Sequence, residues 1–158
     1  MSSKCRRCAF TLIEVLLVVI IMAVLAATII PQFTSSTKEA KTSALNFNLQ
    51  TVRSQLEMYK EQHVGLYPPA TDTASFAAQM CSRTNQDTTA NASSGLYGPY
   101  LGDDLPANPF NDSKTIAIVN GTTAPTAATG SSDGWQYNPA TGWFYPNNAE
   151  FYQTTGGT

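Results

Sequence analysis

The sequence predicts an α+β protein in which one long N-terminal spine helix packs on a small antiparallel β-sheet head. Three observations predict this class. A nearly continuous apolar run covers residues 15–30, an apolar stripe at helical spacing follows within residues 45–59, and short β-branched or aromatic runs appear beyond residue 115. About twenty apolar residues are enough to span a bilayer as a helix. We therefore expect the first half of the spine to cross a membrane and the second half to support the head.

A single carboxylate stands at the start of the apolar run. Glu14 has apolar neighbours on both sides, Ile13 before it and Val15 after it. A charged side chain at the centre of a membrane helix costs about 2.5–3.5 kcal/mol on insertion scales, and such groups usually have a partner of opposite charge. The candidate partner is the free amine that a cut before Phe10 would create on a neighbouring subunit.

Two simpler interpretations of this segment fit less well. A secretory signal has an apolar core of 7–15 residues followed by a small-residue cleavage site, whereas the run here continues to Ile30 and is followed by Pro31. A plain one-pass anchor fits the length of the run. It does not account for Glu14.

Basic residues cluster ahead of the apolar run, at Lys4, Arg6 and Arg7. The positive-inside rule keeps such a segment in the cytoplasm and places the rest of the chain across the membrane. These three account for a third of the nine Lys and Arg residues, so a chain without residues 1–9 carries six basic against eleven acidic residues, a net charge of about −5. Nucleic-acid binding favours a basic surface, so no nucleic-acid partner is expected.

The segment Ala9-Phe10-Thr11-Leu12-Ile13-Glu14 lies between the basic leader and the apolar helix. In this setting it resembles the prepilin cleavage and methylation motif of type IV pilins and type II secretion pseudopilins. The resemblance implies that a prepilin peptidase cuts between Ala9 and Phe10 and N-methylates Phe10. It also implies that Glu14 aids docking of subunits in a filament. Ala9 stands where the family usually has glycine.

Pro31 falls inside the predicted spine helix. A proline there removes one backbone hydrogen bond and kinks or loosens the helix before it. The family commonly has a proline at the matching place. The helix glycine of the family would fall at Ala23 and is absent, so extensive melting of this stretch is less expected.

The elements of the head are predicted from periodicity and turn residues. The apolar stripe indicates that the spine helix continues to about Gly65, a suitable C-terminal cap. The charged residues of its other face are expected to be solvated, with Arg53 able to pair with Glu57 or Glu61 at helical spacing. A short helix is expected from Asp72 or Thr73 to Cys81 or Arg83, followed by an exposed loop at 84–94. Strands are expected at Thr115–Val119, Trp135–Asn138 and Gly142–Tyr145, the last two as a hairpin, with a flexible loop at 120–134 and a frayed tail at 154–158. The expected core joins the stripe residues of the spine to four aromatic residues of the strands: Leu45, Leu49, Val52, Leu56 and Tyr59 with Trp135, Tyr137, Trp143 and Phe144.

Three pieces of the head, Tyr67-Pro68, Gly98–Leu101 and Leu105–Asn111, resemble the head of the major, G-type pseudopilin. The implied function is a structural subunit of a type II secretion pseudopilus, inserted in the inner membrane and polymerised as a helical homopolymer that drives secretion. The implied partners are other copies of the chain, the prepilin peptidase, the inner-membrane assembly platform and minor pseudopilins. The alternatives are a type IV pilin of a surface pilus, for adhesion, motility or DNA uptake, and a membrane-anchored binding protein that never assembles.

Four segments follow from these arguments. They are a prepilin leader at 1–9, a transmembrane helix at 10–30, an amphipathic continuation at 31–64 and a periplasmic globular head at 65–158.

Candidates for chemistry are few, and no enzyme activity is expected. His63 is interpreted as a solvated or capping residue. The pair Cys5 and Cys8 supplies only two of four zinc ligands and lies in the leader, which leaves Cys81 as the one thiol of the mature chain. No cofactor is expected. The resemblance raises calcium as a weak candidate ligand, with Asp112 and Asp133 as possible oxygen donors.

Overall fold

The computed structural model describes residues 10–88 and 94–155, without the side chains of 30–34 and 154–155. The chain divides into two compact units, Met1–Ala40 and Lys41–Thr158. The predicted leader, with its two cysteines and Ala9, lies outside the described residues.

The first described element is the helix α1, Leu12–Gln62, which begins in the first unit and ends in the second. Within the first unit, every described side chain from Phe10 onward is exposed. The backbone stays helical through Pro31, so the proline does not end the helix, and the kink expected there stays a prediction. The end of α1 agrees with the predicted end. Val64 and Gly65 both have positive φ, and the Gly65 N–H donates to the Lys60 carbonyl at 2.9 Å.

The remaining elements belong to the second unit. They are α2 (Thr73–Cys81), β1 (Ile116–Ile118), β2 (Trp135–Tyr137), β3 (Phe144–Pro146) and α3 (Ala149–Thr155). The predicted α2 is confirmed. Asp72 is its N-cap, and its carboxylate accepts a 2.7 Å bond from the Ser75 N–H, while Ser75 Oγ accepts from the Asp72 N–H at 3.0 Å. This reciprocal pairing satisfies two donors that a helix N-terminus otherwise leaves free.

The sheet is mixed, so the prediction of an antiparallel sheet is wrong in one of its two pairings. The strand order is β1-β2-β3. β1 runs parallel to β2, with Ile116 opposite Trp135, whereas β2 and β3 are antiparallel, with Trp135 opposite Pro146. A parallel pair requires a long crossover connection, and the Ser/Thr-rich segment between β1 and β2 is long enough to provide it. The hairpin of the last two strands is confirmed.

The helix α3 was not predicted; the frayed tail was expected only at 154–158, and α3 includes the first two of those residues. Asn148 caps it, with its side-chain oxygen accepting from the Glu150 N–H at 2.8 Å. Phe151 packs against the core, and the Tyr152 hydroxyl accepts a bond from Gln136 Nε2 at 3.1 Å. Two partners from elsewhere in the head therefore hold a segment that is too short to be a stable helix in isolation. Residues 156–158 lie outside the described residues.

The core of the head is a single cluster in which the stripe of α1 meets the strands. All five stripe residues, from Leu45 to Tyr59, are buried, as are Trp135, Tyr137 and Phe144. The prediction is wrong for Trp143, which is only half-buried. Trp143 lies one residue before β3, which begins at Phe144, so it stands outside the paired residues of the strand.

The structure contradicts the interpretation of His63 as a solvated residue. Its ring is fully buried and stacks on Tyr59 at 3.7 Å between ring centroids. Nδ1 lies 2.7 Å from the Tyr59 carbonyl, to which it donates, and Nε2 lies 2.9 Å from the Thr84 hydroxyl. Thr84 is itself buried and pairs with Tyr97 through backbone hydrogen bonds. The predicted loop at 84–94 therefore begins with a core contact, and residues 89–93 lie outside the described residues.

Candidate functional site

The N-terminus of α1 contains Thr11 and Glu14, which belong to the most specific motif of the sequence, Ala9–Glu14. Thr11 directly precedes the first helical residue, and Glu14 is the third helical residue. Glu14 Oε2 accepts from the Thr11 N–H and from the Thr11 hydroxyl, each at 2.9 Å, and the Glu14 N–H lies 3.4 Å from Thr11 Oγ1. These contacts form a capping box, which satisfies free donors of the first helical turn.

The capping box fixes where the Glu14 carboxylate lies. It turns back toward the start of the helix, where the partial positive charge of the helix dipole also favours a negative group. The carboxylate is thus held beside Phe10, the residue predicted to become the new N-terminus. Sequence reasoning identified Glu14 and Phe10 but missed Thr11. The available signal was the spacing Thr-x-x-Glu ahead of an apolar run.

The surface next to this carboxylate is apolar. Leu12–Ile29 is long and apolar enough to cross a membrane, and none of it is buried within the chain. Phe10 is 83% exposed. A helix that is apolar on all sides is stable only when lipid or other protein covers it. The N-terminal helix is therefore suited, by its length and composition, to cross a membrane.

The calcium candidates lie in two loops that Asn111 joins. Asn111 Nδ2 donates to the Asp133 carbonyl at 3.1 Å. Asp133 Oδ2 accepts from the Ser131 hydroxyl at 2.8 Å, and the Asp112 N–H donates to the Asn108 carbonyl at 2.8 Å. No contact between the two carboxylates is found among the described residues, nor any group there of three or more His, Cys, Asp or Glu side chains suited to a metal ion. Calcium takes six to eight oxygen ligands, backbone carbonyls included, so calcium binding at these two loops stays a weak prediction.

Asn108 is the buried residue that holds these two loops, and sequence reasoning missed its role. Its Nδ2 donates to the Gly134 carbonyl at 2.7 Å, and its Oδ1 accepts from the Phe110 N–H at 3.0 Å. Its backbone N–H donates to the Ser113 carbonyl at 2.9 Å. Asn108 lies within the segment Leu105–Asn111, which carried the resemblance to pseudopilin heads. In the structure its hydrogen bonds hold the two loops together.

Asn108→Ala should destabilise the head, because it removes the side-chain partner of the Phe110 N–H and one of the two bonds to the Gly134 carbonyl, which keeps its bond from the Asn147 N–H. A buried donor left without a partner costs about 1–3 kcal/mol. The measurement is chemical denaturation of the detergent-solubilised full chain, followed by tryptophan emission. Asn111→Ala is the control, because its side-chain bonds are exposed. Equal midpoints for the two variants would contradict the assigned role of Asn108.

Cys81 is half-buried at the end of α2 and is not disulfide-bonded. It packs against the core cluster. Burial raises the pKa of its thiol, and the charges of Asp104 and Asp103 raise it further. A raised pKa lowers the thiolate fraction, which is the reactive form. This thiol is therefore a packing residue of the head.

Comparisons with known proteins bear on the N-terminal site. Residues 4–30 match the family model described as "Prokaryotic N-terminal methylation motif". The chain is also 39% identical over 51 residues to the type II secretion system core protein G of Pseudomonas aeruginosa. That match covers 32% of this chain and 36% of the relative, so the chain spans about a third of the relative's length. No solved structure matches. The resemblance to the pilin and pseudopilin family is thereby confirmed, through the N-terminal motif.

Proposed function

We propose that this chain, which carries a pilin-like methylation motif, is a structural subunit of a type II secretion pseudopilus and has no enzymatic role. The motif supports a filament subunit, and the partial similarity to a type II secretion core protein favours the secretion branch. The proposed location before assembly is the inner membrane, crossed once, with the basic leader in the cytoplasm and the head in the periplasm.

The observation that carries this proposal is a capped carboxylate at the start of a fully exposed apolar helix. Lipid can cover Leu12–Ile29 while the subunit is a monomer. Equivalent helices of neighbouring subunits can cover the same surface in a filament. Both environments are apolar, so transfer from one to the other exposes little apolar surface to water. Such a helix suits a protein that must leave a bilayer during polymerisation.

Glu14 provides the specific contact in this proposal. Two bonds from Thr11 occupy Oε2, and Oε1 remains as an acceptor for the methylated amine of Phe10 on an adjacent subunit. A buried charged pair contributes little net stability, but loss of one partner leaves the other charge uncompensated. The pair would therefore set the register of each added subunit. Further proposed partners are the prepilin peptidase, the assembly platform and minor pseudopilins.

Subcellular fractionation of the source bacterium at native expression levels tests the branch of the family. A secretion pseudopilin should remain with the envelope after mechanical shearing, and deletion of its gene should leave secreted proteins in the periplasm. Sheared surface fibres that contain the chain, together with normal secretion in the deletion strain, would identify a surface pilin instead. A chain that stays monomeric in the membrane would indicate an anchored binding protein.

Processing gives a direct prediction. We expect the membrane-extracted chain to begin at Phe10, because the basic leader and motif mark the Ala9–Phe10 bond for the peptidase. Intact-mass spectrometry should give a mass lower by residues 1–9 and higher by one methyl group. Ala9→Gly should be cut at least as efficiently, whereas a bulky residue in Ala9→Leu should block the cut. A mature chain that retains Cys5 and Cys8 would contradict this prediction.

A further inference from the structure

The head contains a concave pocket that the proposed filament contacts do not use. Its volume is about 260 Å³. It is enclosed by the second half of α1, by the segment after that helix, and by β3 with its preceding turn. The side chains and the glycine that define it are Arg53, Glu57, Tyr67, Gly142, Trp143 and Tyr145.

Arg53 is fixed at one side of this pocket. Its Nε donates to the Phe144 carbonyl at 2.9 Å, and its Cζ lies 4.6 Å from the centroid of the Tyr145 ring. The sequence suggested a solvated residue paired with Glu57 or Glu61, but the guanidinium is half-buried and held by β3. Burial lowers its pKa from the ordinary value, and arginine remains protonated in proteins. Its terminal nitrogens have no hydrogen bond to a described residue and remain as donors.

Tyr67 and Glu57 form the opposite side. The Tyr67 hydroxyl donates to Glu57 Oε1 at 2.8 Å and accepts from Lys60 Nζ at 3.2 Å. Its ring lies so close to Gly142 that a Cβ at that position would be 2.2 Å from two ring carbons. Gly142 also has a φ of +75°, which glycine adopts without strain. Glycine therefore allows the tyrosine ring to occupy this place. Glu57 Oε2 lies 3.9 Å from Lys60 Nζ, beyond hydrogen-bond distance, and keeps acceptor capacity.

The backbone of β3 excludes one common class of occupant. β3 is an edge strand of the sheet. Its Phe144 carbonyl is already bonded to Arg53, and Pro146 has no N–H to donate. An extended peptide would add to a free edge by main-chain hydrogen bonds. Two of the main-chain groups that such a peptide would use are therefore not offered here, which favours an occupant that is recognised by the side chains.

We propose that this pocket binds a single neutral pyranose unit of a saccharide. The guanidinium supplies planar paired donors and the Glu57 carboxylate supplies acceptors, which matches neighbouring hydroxyl groups that both accept and donate. Trp143 and Tyr67 supply aromatic surface for the apolar C–H face of a sugar ring. Among the lining residues the charges of Arg53 and Glu57 balance, and the nearby Lys60 is itself paired with Glu57 at 3.9 Å, so hydrogen bonding rather than net charge selects the ligand. This inference stands apart from the proposed filament function.

The test is calorimetric titration of the full chain in lauryldimethylamine oxide, a detergent without a sugar headgroup. The probes are the methyl glycosides of glucose, galactose and mannose, with the corresponding disaccharides to separate a free sugar from a unit within a chain. For a ligand this small, we expect a dissociation constant of about 1 mM for at least one probe. Glucuronate and an acidic peptide are the comparison ligands.

Variants identify the binding site. Trp143→Ala and Arg53→Lys should each weaken binding about tenfold. The first removes the aromatic surface, and the second replaces the planar guanidinium, with its paired N–H donors, by a single ammonium group. Leu96→Ala is the matched control, because Leu96 is 79% exposed and does not line the pocket; it should bind as the parent chain does. Emission from the buried Trp135 checks folding in each case, and Trp143→Phe, which keeps a ring, should retain part of the affinity.

Three results would overturn the proposal. One is the absence of saturable binding by every glycoside. Another is tighter binding of glucuronate or of the acidic peptide than of the neutral sugars. The third is equal affinity in the parent, Trp143→Ala and Arg53→Lys chains, which would place the sugar elsewhere.

Discussion

Glu14→Gln is expected to abolish filament assembly while leaving the chain inserted in the membrane and the head folded. Glutamine at this position still accepts the Thr11 bonds of the capping box, so the start of the helix should survive. It loses the negative charge, and the methylated amine of a neighbouring Phe10 would then be buried without a counter-charge. Removal of one partner of a buried pair typically costs about 3–5 kcal/mol. Glu14→Ala should give the same defect, and Glu14→Asp an intermediate one.

The measurement is the yield of sheared filaments beside the yield of membrane-inserted monomer, for each variant produced at equal level. Thr11→Ala is the matched control, because it removes the hydroxyl of the capping box and leaves the charge of Glu14 in place. If the carboxylate acts by pairing, Thr11→Ala should assemble far better than Glu14→Gln. Normal filaments from Glu14→Gln would refute the pairing and leave capping as the role of this residue.

Leu56→Ala should destabilise the head by about 2–5 kcal/mol, the usual range for removing a buried leucine side chain. Leu56 is 1% exposed and lies in the cluster that joins α1 to the aromatic strands. The truncation leaves a cavity that close-packed neighbours fill only in part. Because natural domains have only a few kcal/mol of net stability to lose, this effect should be large.

The denaturant midpoint of the solubilised full chain, followed by tryptophan emission, measures the effect, since both tryptophans lie in the head. Met58→Ala is the control from the same helix. Met58 is 48% exposed, and its truncation should change stability by less than about 0.5 kcal/mol. Similar midpoints for the two variants would show that the stripe does not face the core.

Agreement between sequence and structure is best where the signal is local. The stripe from Leu45 to Tyr59, the cap of α2 at Asp72 and the β2–β3 hairpin were all predicted. Each depends on residues within a few positions of one another, through helical periodicity, side-chain capping or a short turn. Thr11 was missed at the site although its signal was equally local, because the carboxylate of Glu14 was considered without the threonine three positions before it.

The departures share a different cause. His63 was expected to be a solvated or capping residue, yet it is buried against Thr84, Tyr97 and Tyr100, which are distant in the sequence. Arg53 was expected to pair along its own helix, yet β3 offers it a carbonyl and a tyrosine ring. In both cases the partner comes from a segment whose position depends on the whole head.

The sequence by itself determined that this chain has an apolar helix long enough to span a membrane, with a carboxylate in its first turn. It also determined that a processing motif lies at the start of this helix and that a head supported by the same helix follows. These features follow from composition and spacing, which act within a few turns of helix. Only the tertiary structure decided that β1 pairs parallel to β2, that Trp143 is only half-buried, and that Arg53, Glu57 and Tyr67 line one pocket. The physical reason is that strand pairing and side-chain orientation depend on contacts with residues that are distant in the sequence. A shift of one residue in strand register would turn the opposite set of side chains toward the core.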